Sequence, residues 1–168
     1  MMMPPSIIDI EASGFGVGSY PIEVGYVTHH GKRWCSLITP CDDWQHWNSV
    51  AEQLHHISRD TLLAHGKSIE TVTTQLNETF HNQVVYTDGW LQDFTWLNCL
   101  FEMAETTPYF KLEDLRTVLT PYQQSAWHKT KQSILNELDI HRHRASADAQ
   151  VLQMTWLKTM QGEALACA

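Results

Sequence analysis

The run Ser6-Ile7-Ile8-Asp9-Ile10-Glu11 restricts the chain more than any other stretch. It is rich in isoleucine and follows two prolines, which predicts a buried strand. Side chains two apart share a face of a strand, so Asp9 and Glu11 lie with Ile7, while Ile8 and Ile10 take the other face. Two carboxylates side by side in a buried strand repel each other and lose their water unless a cation sits between them. A fold built on this strand must bring it positive charge.

The remaining pattern predicts a mixed α/β sheet. Residues 13–21 hold three glycines and read as a loop, and residues 22–29 and 32–39 form a hairpin around His30-Gly31. That makes three strands, the second antiparallel to its neighbours. Ser58 and Ser68 are candidate helix caps, Gly66 a stop, and Ile69, Val72, Leu76 and Phe80 recur at helical spacing. Residues 84–87 predict a fourth strand ended by Asp88-Gly89, followed by a helix over 90–104. Residues 110–119 mix a fifth strand with a helix start. Helices are expected over 121–138 and 144–160, then a frayed tail over 162–168. Strands first, then alternating helix and strand, place helices on both faces of the sheet.

The length of 168 residues suits one domain, 1–168, with a core over 6–161. No window is apolar enough for a membrane span. The first residues carry neither a basic nor an apolar signal region, so a cytoplasmic location is expected. Cys35, Cys41, Cys99 and Cys167 lack the spacing of a zinc ribbon or disulfide framework. With 11 Lys+Arg against 19 Asp+Glu, the formal charge is −8. That excludes a broad basic grip on duplex DNA and leaves room for nucleic acid handled through bound cations.

Acids recur where apolar residues belong. On the helix from Trp90, Asp93 falls within the face made by Leu97, Leu100, Phe101 and Ala104. On the last helix, Asp148 stands at the shoulder of the stripe Ala145, Ala149, Leu152, Trp156 and Met160. One such acid is explained by an Arg partner or a helix cap. Three separate elements that do the same are explained more economically by convergence of Asp9, Glu11, Asp93 and Asp148 on one site. All-oxygen ligation selects Mg²⁺ or Mn²⁺ over zinc. Four carboxylates balance two divalent ions, the arrangement for in-line displacement at phosphorus. His143, five residues before Asp148, is the candidate general base, since imidazole is the side chain suited to proton transfer near neutrality.

These residues fall in a known order. Asp9-Ile10-Glu11-Ala12-Ser13-Gly14 resembles the first motif (D-x-E-x-T/S-G) of the DEDDh 3′–5′ exonucleases, and the likeness continues through Ile22-Glu23-Val24-Gly25. Leu54-His55-His56-Ile57-Ser58 is similar to an I-H-G-I-T segment of that family. Asp93 with Trp96-Leu97 resembles the second motif. His143-Arg144-Ala145-Ser146-Ala147-Asp148-Ala149 resembles the third, H-x-A-x-x-D-A. The resemblance implies a ribonuclease H-like fold with a five-stranded mixed sheet. It implies two Mg²⁺ or Mn²⁺ ions on Asp9, Glu11, Asp93 and Asp148, with His143 as base, and release of 5′-mononucleotides from single-stranded 3′ ends. It also implies substrate contacts from the backbone of Ala12, Ser13 and Gly14 and from His55.

Some features stand outside the family pattern. Many relatives carry an Asn shortly before the second-motif Asp, where this chain has Thr87-Asp88-Gly89. Asp88 is either a turn residue or an extra charge facing the site. Phe15 is either a base-stacking residue or a loop anchor. Trp44 and Trp47 read as packing residues or base contacts, and the ten histidines as solvated surface residues. Two divalent ions would leave a net charge of −8 + 4 = −4, so a footprint of a few nucleotides is expected. A partner-dependent proofreading module and a catalytically silent binding module are the rival readings. DNA and RNA are not distinguished, and a homodimer is compatible with the tryptophan content.

Overall fold

The computed structural model describes residues 3–138 and 143–166. A five-stranded sheet runs in the order β3-β2-β1-β4-β5, formed by β1 (Ile7–Ala12), β2 (Pro21–Val27), β3 (Arg33–Leu37), β4 (Val84–Thr87) and β5 (Lys111–Asp114). β2 is antiparallel to both β1 and β3, whereas β4 is parallel to β1 and to β5. The expected hairpin closes at residues 28–32, where Gly31 N–H donates to the Thr28 carbonyl. The sheet is mixed, as the resemblance implied.

Its two faces carry separate cores. Ile8, Ile10, Val24 and Val85 pack against α3 (Ile69–Phe80) and α4 (Trp90–Met103). Ile7 and Val27 pack on the opposite face against Ala149 and Leu152 of α6 (Ala145–Ala166), with Trp127 of α5 (Pro121–Glu137) beside them. β1 is covered on both sides, which is why it reads as a nearly continuous apolar run. Asp9 and Glu11 share the α6 face.

Local chemistry sets the ends of the helices. Ser58 and Ser68 cap α2 (Arg59–His65) and α3 as expected, each accepting from the backbone N–H three residues on. Thr120 and Gln123 close a reciprocal capping box at α5. Residues 110–119 resolve into β5 and a 3₁₀ turn, Leu115–Val118. α1 (Ser49–His55) has no counterpart among the expected elements. Its Val50 and Leu54 are exposed, so no apolar stripe marked it. The available signal was Asn48, whose side chain caps the helix, with Glu52 in the first turn. α6 runs to Ala166, past the expected end at Met160. Residues 162–166 are therefore helical, and the rest of the expected frayed tail, 167–168, lies outside the described residues. Cys167, His141 and Arg142 lie outside them too. No described helix is long and apolar enough to cross a membrane.

Candidate active site

Because β1 and β4 are parallel neighbours, their carboxyl ends emerge at the same edge of the sheet. Ligands of open α/β sheets bind at such ends. A cleft of about 500 Å³ opens there, lined by Asp9 and Glu11 from β1, Asp93 from the first turn of α4, and His143 and Asp148 from the entry to α6. The fold thus brings together the four acids and the histidine that the sequence singled out. A ring nitrogen of His143 and carboxylate oxygens of Glu11 and Asp148 all lie within 4.8 Å of one another. The His143 backbone N–H donates to Asp148 Oδ2 at 2.9 Å, with His143 in the left-handed region at φ 63°.

The acids sit in an unfavourable field. Burial raises the Asp9 carboxyl well above the usual range, and Asp93, Glu11, Asp148 and Asp88 raise it further. Glu11 is pushed up to about 7 by burial and then by Asp148 and Glu23, with Arg144 opposing. Asp93, 3% exposed, is pushed up to about 7 by burial, although Thr87 Oγ1 donates a hydrogen bond to its Oδ2. Lys131 is the single Lys or Arg among the described lining residues, and it is engaged by Asp88. A set of oxygen donors with excess negative charge and no matching cation fits hard divalent ions.

This field predicts how the metal-free chain responds to pH. Glu11 and Asp93 hold protons more tightly in the folded than in the unfolded chain, so the folded chain carries more protons than the unfolded one from 3.8 for Asp93 and 4.5 for Glu11 up to about 7. Their contribution to stability is complete below that window and is lost through it. In EDTA, the melting temperature should therefore fall across this interval. Mg²⁺ or Mn²⁺ should raise it most above pH 7, where the ligands are deprotonated. A metal-induced rise as large at pH 5 as at pH 8 would contradict this account of the cluster.

Glu23 and Arg144 hold the frame. The register places Glu23 beside Glu11 and Gly25 beside Asp9. Glu23, 1% exposed, accepts from Arg144 Nε at 3.0 Å and Nη2 at 2.7 Å, and from the Ala145 backbone N–H at 2.9 Å. A carboxylate from β2 thus satisfies the first amide of α6 and fixes where that helix, with Asp148 in its first turn, begins. A Cβ on Gly25 would lie 2.1 Å from the Ser146 nitrogen, so glycine is what lets the helix end rest on the strand. The parity argument that picked out Asp9 applies equally to Glu23 inside its apolar strand, but sequence reasoning gave it no role.

The expected substrate contacts divide. Ala12, Gly14 and His55 line the cleft, whereas Ser13 lies behind its wall. The Ser13 N–H donates to the Tyr20 carbonyl, its carbonyl accepts from Asn48, and its hydroxyl meets His46 Nδ1 at 2.9 Å. Ser13 therefore pins the loop that carries Ala12 and Gly14. Gly14, at φ 146°, leaves no room for a Cβ, which would fall 2.6 Å from Asn48 Cβ.

His55 is buried at 3% exposure, against the expectation of a solvated histidine. Its Nδ1 accepts from the Ile57 N–H at 3.1 Å, which leaves the proton of the neutral ring on Nε2. That buried Nε2 has no partner among the described residues, and burial lowers the pKa of the ring below the ordinary imidazole value. His56, where the similar family segment has Gly, takes the left-handed conformation that ends α1. Phe15 is 71% exposed at the rim, 5.8 Å from the Trp96 ring. Trp44 is a core residue stacked on Tyr20, and Trp47 packs edge-on against His55.

The architecture matches the ribonuclease H-like fold of the E. coli exonuclease I domain. A zinc-bound complex of E. coli exonuclease I with single-stranded DNA superposes with a TM-score of 0.71 at 14% identity, covering 96% of this chain and 42% of that one. A product-bound exonuclease I matches with a TM-score of 0.70 at 13% identity, covering 96% of this chain and 44% of that one. E. coli exonuclease I in complex with a dA16 oligonucleotide gives 0.70 at 13% identity, with 96% and 42% coverage. The chain therefore spans about two fifths of the exonuclease I chains it matches. No family model and no curated protein matches the sequence.

Proposed function

We propose that this chain is a divalent-metal-dependent 3′–5′ exonuclease that releases 5′-mononucleotides from single-stranded or short nucleic acid. The observation that carries the reading is the convergence of Asp9, Glu11, Asp93, Asp148 and His143 on one cleft where, among the described residues, negative charge lacks a matching cation. Asp9, Glu11, Asp93 and Asp148 would hold two Mg²⁺ or Mn²⁺ ions, which would activate a water and stabilise the leaving oxygen. His143 is placed to take a proton from the attacking water. Displacement at phosphorus would break the P–O3′ bond, with a proton delivered to the departing 3′ oxygen, giving a nucleoside 5′-monophosphate and a shortened strand that ends in a 3′-hydroxyl.

The other residues of the cleft orient the strand. The Nε2–H of His55 offers an unused donor to an oxygen of the terminal nucleotide. Phe15 and Trp96 supply an apolar wall for a base, and Ala12 and Gly14 allow close backbone approach. The known use of this fold on single-stranded DNA, in exonuclease I, supports the substrate class.

The test is incubation of 5′-labelled DNA and RNA oligonucleotides with Mg²⁺, Mn²⁺ or EDTA. A ladder of shortened labelled strands with metal, absent in EDTA, is the expected result. Intact DNA and RNA in both Mg²⁺ and Mn²⁺ would overturn the reading in favour of a silent binding module.

A further inference from the structure

We propose that Lys131 binds a phosphate of the strand entering the cleft, and that Asp88 holds its ammonium in place until the strand arrives. The inference rests on the exonuclease reading and adds a substrate-binding residue that none of the family motifs contains. Asp88 ends β4 and Lys131 comes from the middle of α5, 43 residues away, yet Lys131 Nζ donates to Asp88 Oδ2 at 3.0 Å. Both line the cleft. Leu135, one turn beyond Lys131, lines it as well, so this face of α5 forms one wall.

The charges explain the pairing. Among the described residues, Asp9, Glu11, Asp88, Asp93 and Asp148 line the cleft with a single lysine, and on the exonuclease reading a polyanion enters there. Four of the five acids are those assigned to the ions. The fifth, Asp88, would repel a phosphate if left bare, and Lys131 neutralises it. The side chains of Lys131 and Asp88 are 28% and 39% exposed, and an ion pair so accessible to water is weak. The ammonium can therefore pass to a phosphate oxygen without a large penalty. Arg144, the cation next to Glu11 in the field, is already held by Glu23 and does not line the cleft. Lys131 is the lysine left to meet the strand.

The test is fluorescence anisotropy of a 5′-labelled single-stranded DNA in Ca²⁺ over a series of salt concentrations, with wild type, Lys131→Ala, Lys131→Arg, Asp88→Asn and the Asp88→Asn/Lys131→Ala double variant. Thermal melts verify that each variant is folded. Lys131→Ala should weaken binding about tenfold and lower the salt slope by about 0.7, the value of one phosphate contact on a single strand. Lys131→Arg should preserve both quantities. Asp88→Asn should tighten binding about threefold with the slope unchanged, since the lysine is still present. The double variant should retain the lowered slope. If Lys131 serves only to neutralise Asp88, the double variant recovers the wild-type slope and affinity, which overturns the proposal. An unchanged slope in Lys131→Ala overturns it as well. Either result, with wild-type protein that shortens the strand in Mn²⁺, leaves the exonuclease reading standing. Wild-type protein that neither binds nor shortens the strand overturns both.

Discussion

Asp9→Asn is expected to lower kcat/KM in Mn²⁺ by about a thousandfold and, in EDTA at pH 8, to raise the melting temperature. On the proposed function, the activity loss follows from removing one of the four carboxylates proposed to hold the ions. A deficit of about 4 kcal/mol in charge stabilisation corresponds to three powers of ten. The gain in stability has the opposite origin. In the metal-free chain, burial and then Asp93, Glu11, Asp148 and Asp88 all act against an ionised Asp9. Asparagine keeps the shape and removes the charge. The folded pKa of Asp9 lies above its unfolded value, so stability starts to fall as pH rises past the unfolded value and the loss is complete above the folded one; below the unfolded value wild type and variant should melt together. Kinetics in Mn²⁺ with melts in EDTA at low and high pH check both halves. A variant that loses activity and also melts lower at pH 8 would show that Asp9 is a structural hydrogen-bonding group and not a strained ligand.

Gly25→Ala is expected to destabilise the chain by about 3 kcal/mol and to abolish activity even where the protein stays folded. The added methyl would meet only backbone: 2.1 Å to the Ser146 nitrogen, 2.4 Å to the Ala145 carbonyl carbon and 2.7 Å to the Ser146 Cα. No rotamer relieves such contacts, so the start of α6 must move off β2. That breaks the Glu23 bond to the Ala145 N–H and displaces Asp148 and His143 together. Gly31→Ala is the control. Its Cβ would enter open space in the hairpin at φ 79°, so only the left-handed strain of about 1 kcal/mol is paid, with activity intact. Equal activity losses in the two variants would break the link between the β2–α6 contact and the site.

What was legible in the sequence was what a local rule could reach. Alternation in β1 placed Asp9 and Glu11 on one face, and Ser58, Ser68 and Gly66 marked helix ends, because these signals act over a few residues. α1 escaped because it buries little: its Val50 and Leu54 face water. The burial of His55 could not be read from an adjacent His-His pair. The Glu23–Arg144 and Asp88–Lys131 pairs span 121 and 43 residues, and no spacing rule joins such positions. The same limit explains Gly25, whose requirement comes entirely from a helix that begins 120 residues later. The order of β1 and β4 is likewise a tertiary fact, and it is the fact that locates the cleft.

The hydrogen bond from the His143 amide to Asp148 Oδ2 ties two tasks to one side chain. Any replacement of Asp148 alters a carboxylate proposed to hold the ions and also releases the backbone anchor of His143. Effects of Asp148→Ala and His143→Ala on kcat should accordingly fall short of multiplying when combined, because the first already undoes part of what the second removes. On the proposed function, a single hydrogen bond thus couples the residue proposed to move the proton to a residue proposed to hold the ions.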